Sequence, residues 1–238
     1  MSTLARSVNG ASPSLRDRLS DIRVRIEHAA RRSGRAPAVV RLIGVVKSVP
    51  LAAIREAVEL GVVDLGENRV QEAVTAFEAL GRSVGWHLIG NLQRNKAGRA
   101  AELFDRIHSI DRIEVAEAVS RRALEAGRVV RAMVQVNVSG EPQKHGVDPD
   151  AAPVLLEAVG RLPGLALDGL MSIGVAEGTA DDARRGFVAT REVRDRAERA
   201  TGLSLPELSM GMSGDFEIAI EEGSTMVRVG SALFGTRL

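Results

Sequence analysis

Cysteine and tyrosine are absent from this 238-residue chain, and lysine occurs only three times among 32 basic residues. Without cysteine there is no disulfide, no thiolate nucleophile and no thiolate metal site, which suits a reducing compartment. Aromatic residues make up only 3% of the chain, so its 45% hydrophobic content must build a core from Leu, Ile, Val and Ala. No charge of either sign dominates, the formal net charge being +1, and this argues against a nucleic-acid-binding or membrane-surface protein. No apolar run is long enough to span a bilayer, and residues 1–12, MSTLARSVNGAS, lack the apolar core of a signal peptide. The expectation is a cytoplasmic protein with a frayed tail over residues 1–12.

What is present is an alternation. Residues 14–34 carry apolar side chains at 15, 19, 22, 26 and 29, one face of a helix opened by Ser14 and Asp17 and closed near Gly34. From there short β-branched runs and helical stretches take turns: VVRLIGVV, VVDLG, WHLIG, RIHSI, RAMVQVNV, LALDGLMSIG, LPELSM and TMVRVG. Eight strands, seven intervening helices and a leading helix predict an α/β fold, a single (β/α)8 TIM barrel over residues 13–238, with the leading helix completing the helical ring. The alternative is an open doubly wound sheet, and the lack of a G-x-G-x-x-G after the first strand counts against its dinucleotide-binding form.

In such a barrel the working residues sit at the C-terminal ends of the strands. Lys47, Glu67, Asn68, Asn91, Ser109, Asp111, Asn137, Ser172 and Gly174 all fall there, as do SMGMSGD (209–215) and RVGS (228–231). The glycines and hydroxyls of SMGMSGD run straight into the helix DFEIAIEEG, which suits an anion site as well as an ordinary helix start. Gly230 and Ser231 add the second loop from which barrels commonly build a phosphate site. Arg228 shares a strand face with Met226, so it points either into the barrel mouth or outward to a helix carboxylate.

Lys47 ends an apolar run in a chain that otherwise prefers arginine, 29 residues against 3. An ε-amine can lose its proton and attack a carbonyl, whereas a guanidinium does not. Opposite a phosphate site, two chemistries are open: a Schiff base with pyridoxal phosphate, or one with a sugar phosphate as in lysine-dependent aldolases. Lys96 and Lys144 lie on the same rim, where a solvated surface role is expected. The four histidines show no metal-ligand spacing. His28 is expected on the surface of the leading helix, and His87 and His108 in strands as core residues with satisfied nitrogens.

The stretches IGVVKSVP, LGENRVQEA, WHLIGNLQRNK, IHSID, VQVNVSGEPQKHGV, GLMSIG and LSMGMSGDFEIAIEEGSTMVRVGSALFGTR resemble the YggS/PROSC family of pyridoxal phosphate homeostasis proteins over nearly the whole chain. The resemblance implies a modified (β/α)8 barrel like the N-terminal domain of alanine racemase. It implies pyridoxal 5'-phosphate held as an aldimine on Lys47, with its phosphate surrounded by Ser209, Met210, Gly211, Ser213, Gly230 and Ser231. Asn68 would lie near the ring and Arg228 would face the pyridine nitrogen. Val46 stands where the family commonly has serine, and Asn91 where it commonly shows histidine. The role implied is a monomeric, non-catalytic carrier or buffer of the cofactor in vitamin B6 homeostasis, with apo-enzymes that use it as recipients. The alternative is an enzyme with weak racemase or transaminase activity. A two-base racemase needs a tyrosine, and this chain has none.

Overall fold

The computed structural model describes residues 13–139, 141, 145–174 and 178–235. The expected tail and Lys144 lie outside these residues. The chain opens with α1 (Leu15–Arg32), whose start is set by a capping box. Ser14 Oγ accepts from the Asp17 N–H at 3.2 Å, and the Asp17 carboxylate accepts from the Ser14 N–H at 3.2 Å. The buried face of α1 is Leu15, Leu19, Ile22, Ile26, Ala29 and Ala30, the apolar spacing read from the sequence with Ala30 added.

Eight strands follow, each separated from the next by a helix: β1 (Arg41–Val45), α2 (Leu51–Glu59), β2 (Asp64–Glu67), α3 (Val70–Leu80), β3 (Gly85–Leu88), α4 (Ala97–Leu103), β4 (Arg106–Ile110), α5 (Ile113–Glu125), β5 (Val130–Val136), α6 (Ala152–Gly160), β6 (Leu165–Ser172), α7 (Ala180–Thr201), β7 (Glu207–Ser209), α8 (Phe216–Glu221) and β8 (Met226–Val229). A last turn, α9, spans Ser231–Phe234. The strands are parallel and pair in sequence order, and β8 closes on β1 through the register Leu42 opposite Val227. The expected barrel is therefore the observed one.

The leading helix packs on α8 and α9 and fills the ring between α8 and α2. Arginines sew it there. Arg18 Nε donates to the Leu233 carbonyl at 2.6 Å, Arg25 Nε to Glu217 at 2.7 Å, and Arg32 reaches Glu221 at 2.8 Å. Arg35, just beyond the helix, donates to the carbonyls of Ile220 and Ser224. Planar forks that reach several oxygens suit this work better than lysine would, which accounts for part of the arginine bias.

The core lies between strands and helices, where Leu65, Trp86, Leu88, Val227 and Val229 pack in one continuous apolar cluster. Inside the barrel the arrangement differs from the usual layers of branched aliphatic side chains. A small apolar cluster of Ile43, Met133 and Met226 is surrounded by the buried Asp64, His87, Arg106, His108, Gln135, Ser209 and Arg228. Near the N-terminal ends of the strands, Arg106 donates to Asp168 at 2.6 Å and lies 3.8 Å from Glu207. A lumen filled this way is held by directional bonds as well as by packing.

Candidate functional site

Strand alternation decides which residues reach the mouth. On β1, Val45 and then Lys47 turn inward, while Val46 is buried in the outer core. On β8, Val227 and Val229 pack against the helices, so Arg228 points inward, which resolves the two orientations open from sequence. After β2 comes Asn68, after β3 Ile89, after β6 Ile173, and after β7 Met212, Ser213 and Gly214. With Gly230, Ser231 and Phe234 these residues line one cavity of about 970 Å³ at the C-terminal end of the barrel.

The loops after β7 and β8 are knotted together there. Ser213 Oγ accepts from the backbone N–H groups of both Gly230 and Ala232, each at 3.2 Å. Asp215 holds the preceding turn by accepting from the Met212 N–H at 2.6 Å, and burial pushes its carboxyl pKa up. The N–H groups of Gly230 and Ala232 are thus engaged by the Ser213 oxygen, whose own O–H stands with the Ser231 hydroxyl on one wall of the cavity as donors that suit an anion such as a phosphate. Ser48, next to Lys47, is held at φ 56°, a left-handed conformation that is uncommon outside glycine and recurs at functional sites.

Arg228 is fully enclosed from behind. Its NH1 donates to Ser209 Oγ at 2.7 Å and its NH2 to the Ser172 carbonyl at 2.8 Å. Among the described residues no carboxylate reaches it within ion-pair distance. Burial pushes its pKa down to about 10, with the charge of Asp215 acting against the shift, so the guanidinium stays protonated at neutral pH.

Of the residues expected around a cofactor, the structure brings Lys47, Asn68, Ser213, Arg228, Gly230 and Ser231 to this cavity. Ser209, Met210 and Gly211 do not line it. The Ser209 hydroxyl is occupied by Arg228 and His108 beneath the floor, Met210 is buried in the outer core, and Gly211 packs against α8. The β7 strand ends too deep for these three, and the chain reaches the mouth only at Met212. Lys96, half-buried at the start of α4, also lies outside the lining. Asn91 lines a side cleft of about 310 Å³ that shares Asn68, Ile89 and Ile173 with the main cavity, and its amide donates to His145 Nδ1 at 2.8 Å. Sequence reading missed Ser48, Ile89 and Phe234, whose residue types carry no signal of their own.

A sequence model of the alanine racemase N-terminal domain matches residues 18–238. A pyridoxal phosphate homeostasis protein of Aquifex aeolicus is 42% identical over 93% of this chain and 97% of its own length. One from Pseudomonas aeruginosa is 43% identical over 93% and 95%. The chain belongs to the family of pyridoxal phosphate homeostasis proteins. A solved structure of one member of the same fold, PipY of Synechococcus elongatus with PLP bound, superposes with a TM-score of 0.83 at 38% identity, covering 93% of this chain and all of that one. An alanine racemase of Clostridium difficile shares the fold at 16% identity with a TM-score of 0.74, and this chain covers 60% of it.

Proposed function

We propose that this protein holds pyridoxal 5'-phosphate in the 970 Å³ cavity through an imine link to Lys47, and serves as a carrier or buffer of that cofactor. The observation that carries the reading is the placement of Lys47 in one cavity with the β7 and β8 loops and Arg228, in a chain 38% identical to a relative whose structure contains PLP. When bound, the cofactor supplies an electrophilic carbonyl and an electron-withdrawing ring. Lys47 contributes the amine, Ser213, Gly230 and Ser231 the wall for the phosphate, and Asn68 a polar contact beside the ring. Apo-enzymes that need the cofactor are the recipients in this reading.

The chemistry of Arg228 supports holding over turnover. A ring nitrogen is the stronger electron sink when protonated, which a carboxylate neighbour favours. A guanidinium is a donor only, and its charge opposes a second cation beside it. The missing tyrosine removes the second base of a two-base racemase.

The test is the visible absorption of the purified protein with added pyridoxal phosphate, compared with Lys47→Ala. A band in wild type that is absent from the variant is expected; no band in wild type overturns the reading. Incubation of the loaded protein with amino acids in deuterated water is expected to leave the α-proton in place, and exchange at enzymatic rates would move the assignment to a weak racemase or transaminase.

A further inference from the structure

Four hydrogen bonds run end to end through the barrel from the floor of the cavity. Arg228 NH1 meets Ser209 Oγ at 2.7 Å, and Ser209 Oγ meets His108 Nδ1 at 2.9 Å. His108 Nε2 meets His87 Nδ1 at 2.9 Å, and His87 Nε2 meets Asp64 Oδ1 at 3.0 Å. All five side chains are buried. Three links join neighbouring strands, while the His108–Ser209 link crosses the lumen from β4 to β7.

The two ends of this chain are chemically one-sided. Arginine only donates, and an ionised aspartate only accepts. Each neutral group between them has one donor and one acceptor to offer along the line. Every hydrogen is therefore assigned by the ends: Ser209 donates to His108 Nδ1, His108 Nε2–H to His87 Nδ1, and His87 Nε2–H to Asp64. The assignment requires both rings to be neutral. Burial holds His108 well below the usual histidine range and His87 below it, the Asp64 bond acting the other way on His87. The nearby charges agree with this. Arg41 lies 3.7 Å from Asp64, and Arg106 stands between the two ends, engaged by Asp168 and Glu207. These two cations, and for His108 also Arg228, disfavour imidazolium further. At the other end, Asp215 is the carboxylate whose charge reaches Arg228.

We propose that Asp64, His87, His108 and Ser209 hold Arg228 from behind as a one-directional chain, making Asp64 a positioning residue for the ring bound in the cavity. This rests on the pyridoxal phosphate reading given above. With its hydrogen committed to His108, Ser209 turns its lone pairs to the guanidinium and cannot donate to a ligand. Removing the acceptor at Asp64 lets His87 and His108 exchange tautomers. His108 then donates to Ser209, whose own hydrogen loses its acceptor beside Arg228. The guanidinium keeps the Ser172 carbonyl but shares the Ser209 oxygen with a second donor, so its bond to Ser209 weakens and its position shifts, although the substituted residue lies three links from Ser209.

Side-chain 1H–15N correlation spectra of the wild type test the chain directly. Both buried histidines are expected as the neutral tautomer protonated on Nε2 throughout about pH 5.5 to 8.5. Finding either ring as the Nδ1–H form or as imidazolium would overturn the assignment, and this measurement needs no variant to fold. In Asp64→Leu the His108 proton is expected to move to Nδ1, the absorption maximum of bound pyridoxal phosphate to shift, and its affinity to fall about tenfold. Unchanged affinity and spectrum in Asp64→Leu, with wild type binding normally, would refute the positioning role while leaving the cofactor reading intact. Failure of wild type itself to bind would defeat both, whereas the tautomers would still report whether the chain exists.

Discussion

Replacing Gly211 by alanine is expected to damage stability and site together, whereas the same change at Gly214 damages neither fold nor core. Gly211 sits at φ +86°, and a Cβ there would lie 2.6 Å from the Ala219 Cβ and 2.9 Å from the Phe216 Cα. The left-handed conformation costs a residue with a Cβ about 1–2 kcal/mol. Forcing a methyl against the backbone of a packed helix adds about 1–3 kcal/mol. The sum of roughly 2–5 kcal/mol corresponds in a chain of this size to a fall in Tm of about 4–20 °C. The strain also has a path to the site, because the Gly211 carbonyl accepts the Arg228 N–H at 3.1 Å. Weaker uptake of pyridoxal phosphate should accompany the lower Tm. Gly214 is not in the left-handed region and has no atom within 4 Å of its Cβ position, so Gly214→Ala should keep Tm within about 2 °C of wild type. Thermal unfolding followed by circular dichroism, with cofactor titration of each variant, reads both effects. A Gly211→Ala protein with wild-type Tm would refute the packing argument.

Glu67 is buried with Oε2 unpartnered, and burial together with the neighbouring Glu72 pushes its pKa up to about 7. A carboxyl raised in the folded state binds more protons folded than unfolded, so it lowers stability as pH climbs from its unfolded value of about 4.5 through 7, by about 3 kcal/mol in full. Glu67→Gln should therefore be more stable than wild type at pH 8 in urea titrations and nearly equal to it at pH 4.5; Asp168, raised to about 6 by burial, leaves a residual slope in both proteins. Arg106→Met should cost about 3–5 kcal/mol in chemical denaturation, because Asp168 and Glu207 then lose their buried cation and only the exposed Arg131, 3.7 Å from Asp168, remains. Adding Asp168→Leu to that variant should recover most of the loss, and no recovery would show that the pair is not acting as an ion pair.

Much of this protein was legible in one dimension. The spacing 15, 19, 22, 26 and 29, and the change from a 3.6-residue period to short β-branched runs, depend only on local geometry and on which side chains avoid water. They were enough for eight strands and for a leading helix in the ring. Lys47 stood out because the chain elsewhere uses arginine, a signal of composition alone. His87 and His108 read as buried residues with satisfied nitrogens, and both are buried with both nitrogens bonded.

What the nitrogens are satisfied by is another matter. Asp64, His87, His108, Ser209 and Arg228 come from five strands across 165 positions of chain, and no periodicity announces that closure of the sheet will bring them into a line. The same closure decides depth. Ser209 and Ser213 are four residues apart and look interchangeable in SMGMSGD, yet β7 ends at Ser209 under the floor while Ser213 reaches the mouth. Side-chain alternation along a strand is a property of the sequence, but which face becomes the lumen, and how far along it the cavity begins, is set only when eight strands meet.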